Sequence, residues 1–211
     1  MADSEVQNLT ELTTPAAADV LYIVDDPAGT PLARKVQAAT LMAMISPQIF
    51  LSVAGATPKT TAGCAAAAQS EMATNKQNLK TLDFDKDTEE HADFTFALPS
   101  DYNGGTMTAK FFWMHAATTT NFGVVWGIEG RCYADDAALD AAVGTAQTVT
   151  DTGGTTSDVY ISPATSAITW AGTPLAGQLI NLTVFRKAAD GSDTLAIDAK
   201  LIGIQLTYTR S

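Results

Sequence analysis

The 211-residue chain is poor in the residues that most often announce chemistry. It has two cysteines and two histidines. That leaves no ligand spacing for a zinc site and no framework of disulfides. Cys64 and Cys132 stand far apart with no spacing that supports a bridge, and free thiols of a protein made in a reducing cytoplasm are the expectation. Basic residues are also scarce: 12 Lys and Arg stand against 23 Asp and Glu, for a net charge of −11. Phosphate backbones and anionic lipid are bound by clustered cations, so neither nucleic acid nor membrane is an expected partner. No apolar run approaches the roughly 20 residues that span a bilayer. The acidic start, Met1 to Glu5, lacks the basic n-region of a secretory signal.

Nucleophilic machinery is missing as well. There is no Gly-x-Ser-x-Gly elbow and no Cys-His pairing around Cys64 or Cys132. His91 reads as part of a polar turn and His115 as the end of a strand. Asp83-Phe84-Asp85-Lys86-Asp87 has alternating carboxylates, but Thr88 and Phe94 occupy the positions where an EF-hand needs Gly and Glu. A solvated acidic turn is the expectation there. Asp135, Asp136, Asp140 and Asp151 are candidates for glycoside hydrolysis by composition alone. The reading is therefore of a non-enzyme, with no cofactor and no metal.

What the chain does have is alanine and threonine, 36 and 30 of them, and short alternating runs. Asp19 to Asp25 reads as a buried strand, Asp26-Pro27-Ala28-Gly29-Thr30 as a turn, and Leu32, Arg34 and Val36 as a returning strand. Ala38 to Ile45 has helical composition and stops before Pro47. Residues 1–46 thus form a hairpin and short helix, too small to bury a core alone. Residues 47–78, with few bulky side chains after Phe50, Leu51 and Val53, read as a connector. They carry no heptad, so no coiled-coil stalk is expected.

Residues 79–211 carry a series of short strand candidates: Leu79–Phe84, Phe94–Leu98, Thr106–His115, Phe122–Tyr133, Gln147–Thr150, Val159–Ile161, Ile168–Trp170, Gln178–Lys187 and Ala199–Arg210. A capped helical turn is expected near Asp135–Asp140. Such a series, without a long helix, predicts a mainly β fold, a jelly-roll β-sandwich behind a small N-terminal hairpin and helix. Trp113 and Trp126 fall in phase with apolar neighbours and read as core. Trp170 and Tyr160 lie near loops and are the candidate glycan contacts.

Two stretches resemble a known group. Leu9-Thr10-Glu11-Leu12 followed by Ala18 to Thr30, Lys35-Val36 and Leu41 is similar to the N-terminal anchoring segment of tailed-bacteriophage fibres, spikes and head-attached appendages. Leu82 to Asp85, Leu98 to Thr106, Phe112-Trp113, Val125-Trp126-Gly127 and Leu201 to Tyr208 resemble a jelly-roll domain of phage particle proteins. The resemblance implies a structural virion protein on the particle exterior: a head fibre, spike, capsid decoration protein or short tail fibre, forming a homotrimer. Its partners would be capsid, neck or tail proteins. Attachment would rest on apolar burial by Leu21, Tyr22, Ile23, Val24 and Val36. The alternative reading is a receptor-binding module for host cell-surface polysaccharide.

Overall fold

A computed structural model describes residues 16, 18–25, 32–43, 45–116 and 122–210. The chain divides into two compact units, 1–46 with Ser211, and Pro47–Arg210. In the first, β1 (Val20–Asp25) pairs antiparallel with β2 (Leu32–Gln37), and α1 (Ala38–Ala43) follows directly. Leu21 lies opposite Val36. Val20, Leu21, Leu41 and Ile45 are exposed, as expected where a two-stranded sheet has no second layer. The expected turn at 26–30, the segment Leu9–Leu12, and the side chains of Tyr22, Ile23 and Val24 lie outside the described residues.

The second unit is a jelly-roll β-sandwich. One sheet has the order β10 (Gln147–Gly153), β9 (Phe122–Tyr133), β12 (Leu179–Arg186), β7 (Glu90–Ala97) and β4 (Thr57–Pro58). The other has the order β11 (Tyr160–Ile161), β8 (Tyr102–Met114), β13 (Ala199–Arg210), β6 (Asn78–Phe84) and β5 (Ala68–Glu71), and β3 (Gln48–Ser52) also pairs with β13. β13 is the hub of this sheet. It carries β8 along one edge, with β6 and then β3 along successive stretches of the other.

Alternation decides which side chains meet between the sheets. Met107, Ala109, Phe111 and Trp113 point inward from β8, and Val124, Trp126 and Ile128 from β9. The Trp126 ring stacks on Phe111 at 5.6 Å and takes Phe84 edge-on at 5.3 Å. Trp113 donates its indole N–H across the sandwich to Asp151 at 2.8 Å, so a core tryptophan keeps its hydrogen bond.

Residues 47–78 are not a connector. They supply β3, a 3₁₀ turn at Val53–Gly55, β4 and β5, all paired into the sandwich. Backbone hydrogen bonds hold a strand to its neighbour whether or not its side chains are bulky, which the thin apolar content of this stretch conceals. Asp135–Asp140 forms turns rather than a helix, with Asp136 at φ 60°. Ile168–Trp170 is not a regular strand. It is held by single bonds such as Ile168 N–H to Met107 O at 2.8 Å. Asp101-Tyr102-Asn103-Gly104-Gly105, turn-like in composition, belongs largely to β8, where Gly104 takes φ +80°.

Candidate functional site

The outward face of the sheet built on β13 presents an aromatic surface. In β3, Ile49 and Leu51 turn toward the core, so Gln48, Phe50 and Ser52 turn away from it. Phe50 is 51% exposed, which is unusual for a phenylalanine in a paired strand. Its ring lies against Gly203, where a β-carbon would sit 2.5 Å from Phe50 Cζ and 2.8 Å from Leu51 O. Gly203 follows the irregularity at Leu201/Gly203 in the β13–β8 register, where Ile202 is the extra residue. The bulge thus brings a residue without a side chain beneath the ring.

Phe112 faces Gly203 from β8. Its ring meets Phe50 edge-to-face, centroids 5.4 Å apart at 88°. Ile161, 52% exposed, pairs with Phe112 from β11 and extends the apolar row. In the next row Gln205 lies between Phe50 and Lys110. Its amide donates to Gln48 Oε1 at 3.0 Å, which leaves each amide with further donor and acceptor capacity toward solvent. The outcome is two aromatic rings and an isoleucine bordered by two carboxamides and an ammonium.

The outer face of the other sheet is covered in its middle and exposes threonines, Thr95, Thr148, Thr150 and Thr152, toward its edges. Phe185 is buried over Gly127 and beside the His91 ring at 5.3 Å. Chain 59–64 runs along β7 and bonds to His91 through Lys59 N–H and Cys64 N–H. An open cleft lies where the 134–139 loop approaches the 175–179 turn. Tyr133, Leu139 and Leu179 line it, and Asp135 is the one carboxylate among the lining residues. Hydrolysis of a glycosidic bond needs two. Cys132 beside it donates its S–H to Gln178 Oε1 at 3.0 Å, and burial raises its pKa.

The two aromatic side chains nominated from the sequence pack toward the core. Trp170 is only 9% exposed and belongs to the core cluster. A β-carbon on Gly130 would lie 2.6 Å from its Cζ3, so the indole packs directly on β9. The Ala171-Gly172-Thr173-Pro174 turn that follows suggests a surface loop. Instead Ala171 bonds both ways to β9, through Gly130 O and Cys132 N–H. Tyr160 is half-buried over Trp113 at 4.8 Å, and its hydroxyl is engaged by Thr155 O and Gly154 N–H. Of the attachment residues, Leu21 is exposed and Val36 half-buried.

The acidic motif is also accounted for. Asp85 accepts the N–H groups of Asp87 and Thr88, each at 2.7 Å, and those bonds lower its pKa. Its carboxylate closes a turn. Among the described residues no three His, Cys, Asp or Glu side chains come together as a metal site. Cys64 and Cys132 are both buried and free.

Phe50 and Phe112 are not among the sequence-based candidates, although both strands carry the signal. Phe112 is out of phase with Phe111 and Trp113, and Phe50 shares its face with Gln48 and Ser52.

No family model matches the chain, and no curated protein matches it. Solved structures do. A family 11 carbohydrate-binding module from Clostridium thermocellum, in complex with a β-1,3-1,4-mixed-linked tetrasaccharide, is 6% identical at TM-score 0.41, over 79% of this chain and 98% of its own. The CBM22-2 xylan-binding domain of Paenibacillus barcinonensis Xyn10C is 13% identical at TM-score 0.37, over 74% and 92%. A carbohydrate-binding module specific for non-crystalline cellulose, CBM28, is 12% identical at TM-score 0.39, over 74% and 86%. At these scores the likenesses add nothing to the functional reading of the chain.

Proposed function

We propose that the chain is a non-catalytic glycan-binding protein whose β-sandwich takes saccharide on the Phe50–Phe112 face. One observation carries this reading: an exposed phenylalanine held against a glycine, with carboxamides beside it. Apolar surface of this kind, concentrated and rimmed by polar groups, marks a binding site. The C–H face of a pyranose is apolar and suits an aromatic ring. Its equatorial hydroxyls both donate and accept, as the amides of Gln48 and Gln205 do. Such a surface binds without any acid–base machinery.

The test is a glycan array probed with the full chain and with Phe50→Ala. Binding to a subset of polysaccharides that is lost in Phe50→Ala supports the reading. An array without hits, or hits indifferent to Phe50→Ala, overturns it.

A second reading concerns the N-terminal unit and is compatible with the first. The exposed Val20, Leu21, Leu41 and Ile45 favour docking of residues 1–46 onto a larger assembly. In the virion reading that assembly is the exterior of a phage particle, and the chain is a homotrimeric appendage. Incorporation of the chain into particles, lost when 1–46 is deleted, is the outcome that supports it. Undiminished incorporation of the truncated chain contradicts it.

A further inference from the structure

Charge is distributed unevenly over this molecule, and the aromatic face is where the imbalance reverses. The chain carries 23 Asp and Glu among 211 residues. Yet β3, the Gly203–Thr207 stretch of β13, the Thr108–Phe112 stretch of β8 and β11 contain no carboxylate at all. They contain one charged residue, Lys110, which is exposed. Elsewhere on the same sheet Lys200 is neutralised by Asp83, directly opposite it in the register. Among the described residues Lys110 has no carboxylate within ion-pair distance.

Lys110 also stands where a ring on the aromatic surface would need a cation. It precedes Phe112 by two residues on one face of β8, about 7 Å along the strand. Gln205 separates it from Phe50, which lies two strands away, about 10 Å across the sheet. A lysine side chain covers most of either interval, with its stem lying on apolar surface and its ammonium free. A substituent on the rim of a pyranose stacked on Phe50 or Phe112 falls within its reach. In a hexuronic acid that rim substituent, the carboxylate on C5, is an anion.

We infer that the Phe50–Phe112 face selects glycans containing uronic acid, with Lys110 as the residue that recognises the carboxylate. This rests on the glycan-binding reading above and narrows it to an acidic class. It is the opposite of what the overall charge of −11 suggests, since an acidic protein repels polyanions unless a local patch reverses the field.

The experiment uses the full chain and three probes: oligosaccharides of galacturonate, mannuronate and glucuronate. Each is compared with its carboxyl-reduced counterpart, which keeps the ring and linkage and loses the charge. Binding is measured by calorimetry at low salt. At least one acidic probe is expected to bind about fivefold tighter than its neutral partner, the scale of one exposed ion pair. The preference should disappear in Lys110→Gln, persist in Lys110→Arg, and shrink as salt is raised. Phe50→Ala should weaken both forms together.

Equal affinity for acidic and reduced forms, or a preference unchanged in Lys110→Gln, overturns the inference and leaves Phe50-dependent glycan binding standing. Absence of binding to every probe overturns the inference, and the glycan array then decides the broader reading. Light scattering on the same samples supplies the last arm. A dimer that Phe50→Ala dissociates, with no saccharide bound, assigns the face to a second copy and overturns both.

Discussion

Phe50 rests on Gly203, and the contact is possible only because residue 203 has no side chain: an added β-carbon would stand 2.5 Å from Phe50 Cζ. The same β-carbon would stand 2.8 Å from the Leu51 carbonyl oxygen, so the neighbouring backbone leaves no room either. Gly203→Ala is therefore expected to lift the ring, disturb the β3–β13 pairing and destabilise the sandwich by about 1–3 kcal/mol, as overpacking does. Saccharide affinity should fall with it. Denaturant unfolding beside a binding titration checks both halves. Phe50→Ala is the control, since it loses binding with a smaller stability cost because the ring is half-exposed.

Among the described residues the core holds one buried ion pair, and it is fully hydrogen-bonded. Arg186 is buried with Asp193, Nε to Oδ2 at 3.0 Å and Nη2 to Oδ1 at 2.7 Å. The guanidinium also donates to the carbonyls of Phe84, Leu195 and Ile197, and Asp193 accepts the Val125 N–H. The pair ties the 193–197 segment to both β-sheets. Asp193→Ala would leave a buried cation without its counter-charge and is expected to cost about 3–5 kcal/mol. Chemical denaturation measures it. A loss below about 1 kcal/mol, the scale of an exposed pair, would show that the arginine finds water in place of the carboxylate.

The two thiols should be silent in the native state. Burial pushes the Cys64 thiol up to about 12 from an ordinary 9.0, with the nearby Glu90 carboxylate adding to the rise. The Cys132 pKa is raised by the same cause. The folded state therefore holds these protons more tightly than the unfolded one. The Cys64 contribution to stability is full below about pH 9 and is lost progressively as pH rises toward about 12, and that of Cys132 changes in the same direction. Thiol titration with an aromatic disulfide near pH 8 should give no fast-reacting sulfhydryl in the native protein and two after denaturation. Two fast-reacting thiols in the folded chain would contradict their burial.

Residues 47–211 should fold without residues 1–46. β3 begins at Gln48, directly after Pro47, whose carbonyl accepts Tyr208 N–H at 3.2 Å. Every strand of the sandwich is therefore retained in the truncated chain. Circular dichroism and thermal unfolding should match the full chain to within a few degrees. A broad, uncooperative transition would show that the sandwich depends on the N-terminal unit.

Legibility of this fold follows the side chains. β8 and β12 alternate large apolar and polar residues, so the residue pattern alone identifies their inward faces; in β13 the bulge at Ile202 shifts the phase, so that Leu201 and Ile204 both turn inward and simple alternation fails there. β3, β4 and β5 escape that pattern because they join the sheets mostly through backbone bonds, which small and polar residues make equally well. Trp170 looks like a loop residue in the sequence because its burial depends on Gly130, forty residues upstream, and no local pattern reports that contact. Phe50 is obscured for a related reason. Its neighbours Ile49 and Leu51 give the strand a continuous apolar look, and only the pairing with Gln205 and the ring contact with Gly203 show that the ring faces out. The absence of a cation cluster is plain in the sequence. The local reversal of charge at Lys110 is not, because it is assembled from four strands that are distant in the chain.

The central claim is that saccharide lies on the Phe50–Phe112 face. Amide chemical shifts recorded during titration with a bound oligosaccharide test it most directly. The perturbed amides are expected to gather on Phe50, Gly203, Gln205 and Phe112. Perturbations gathered instead around Tyr133, Leu139 and Leu179 would move the site to the cleft at the other sheet and contradict the claim.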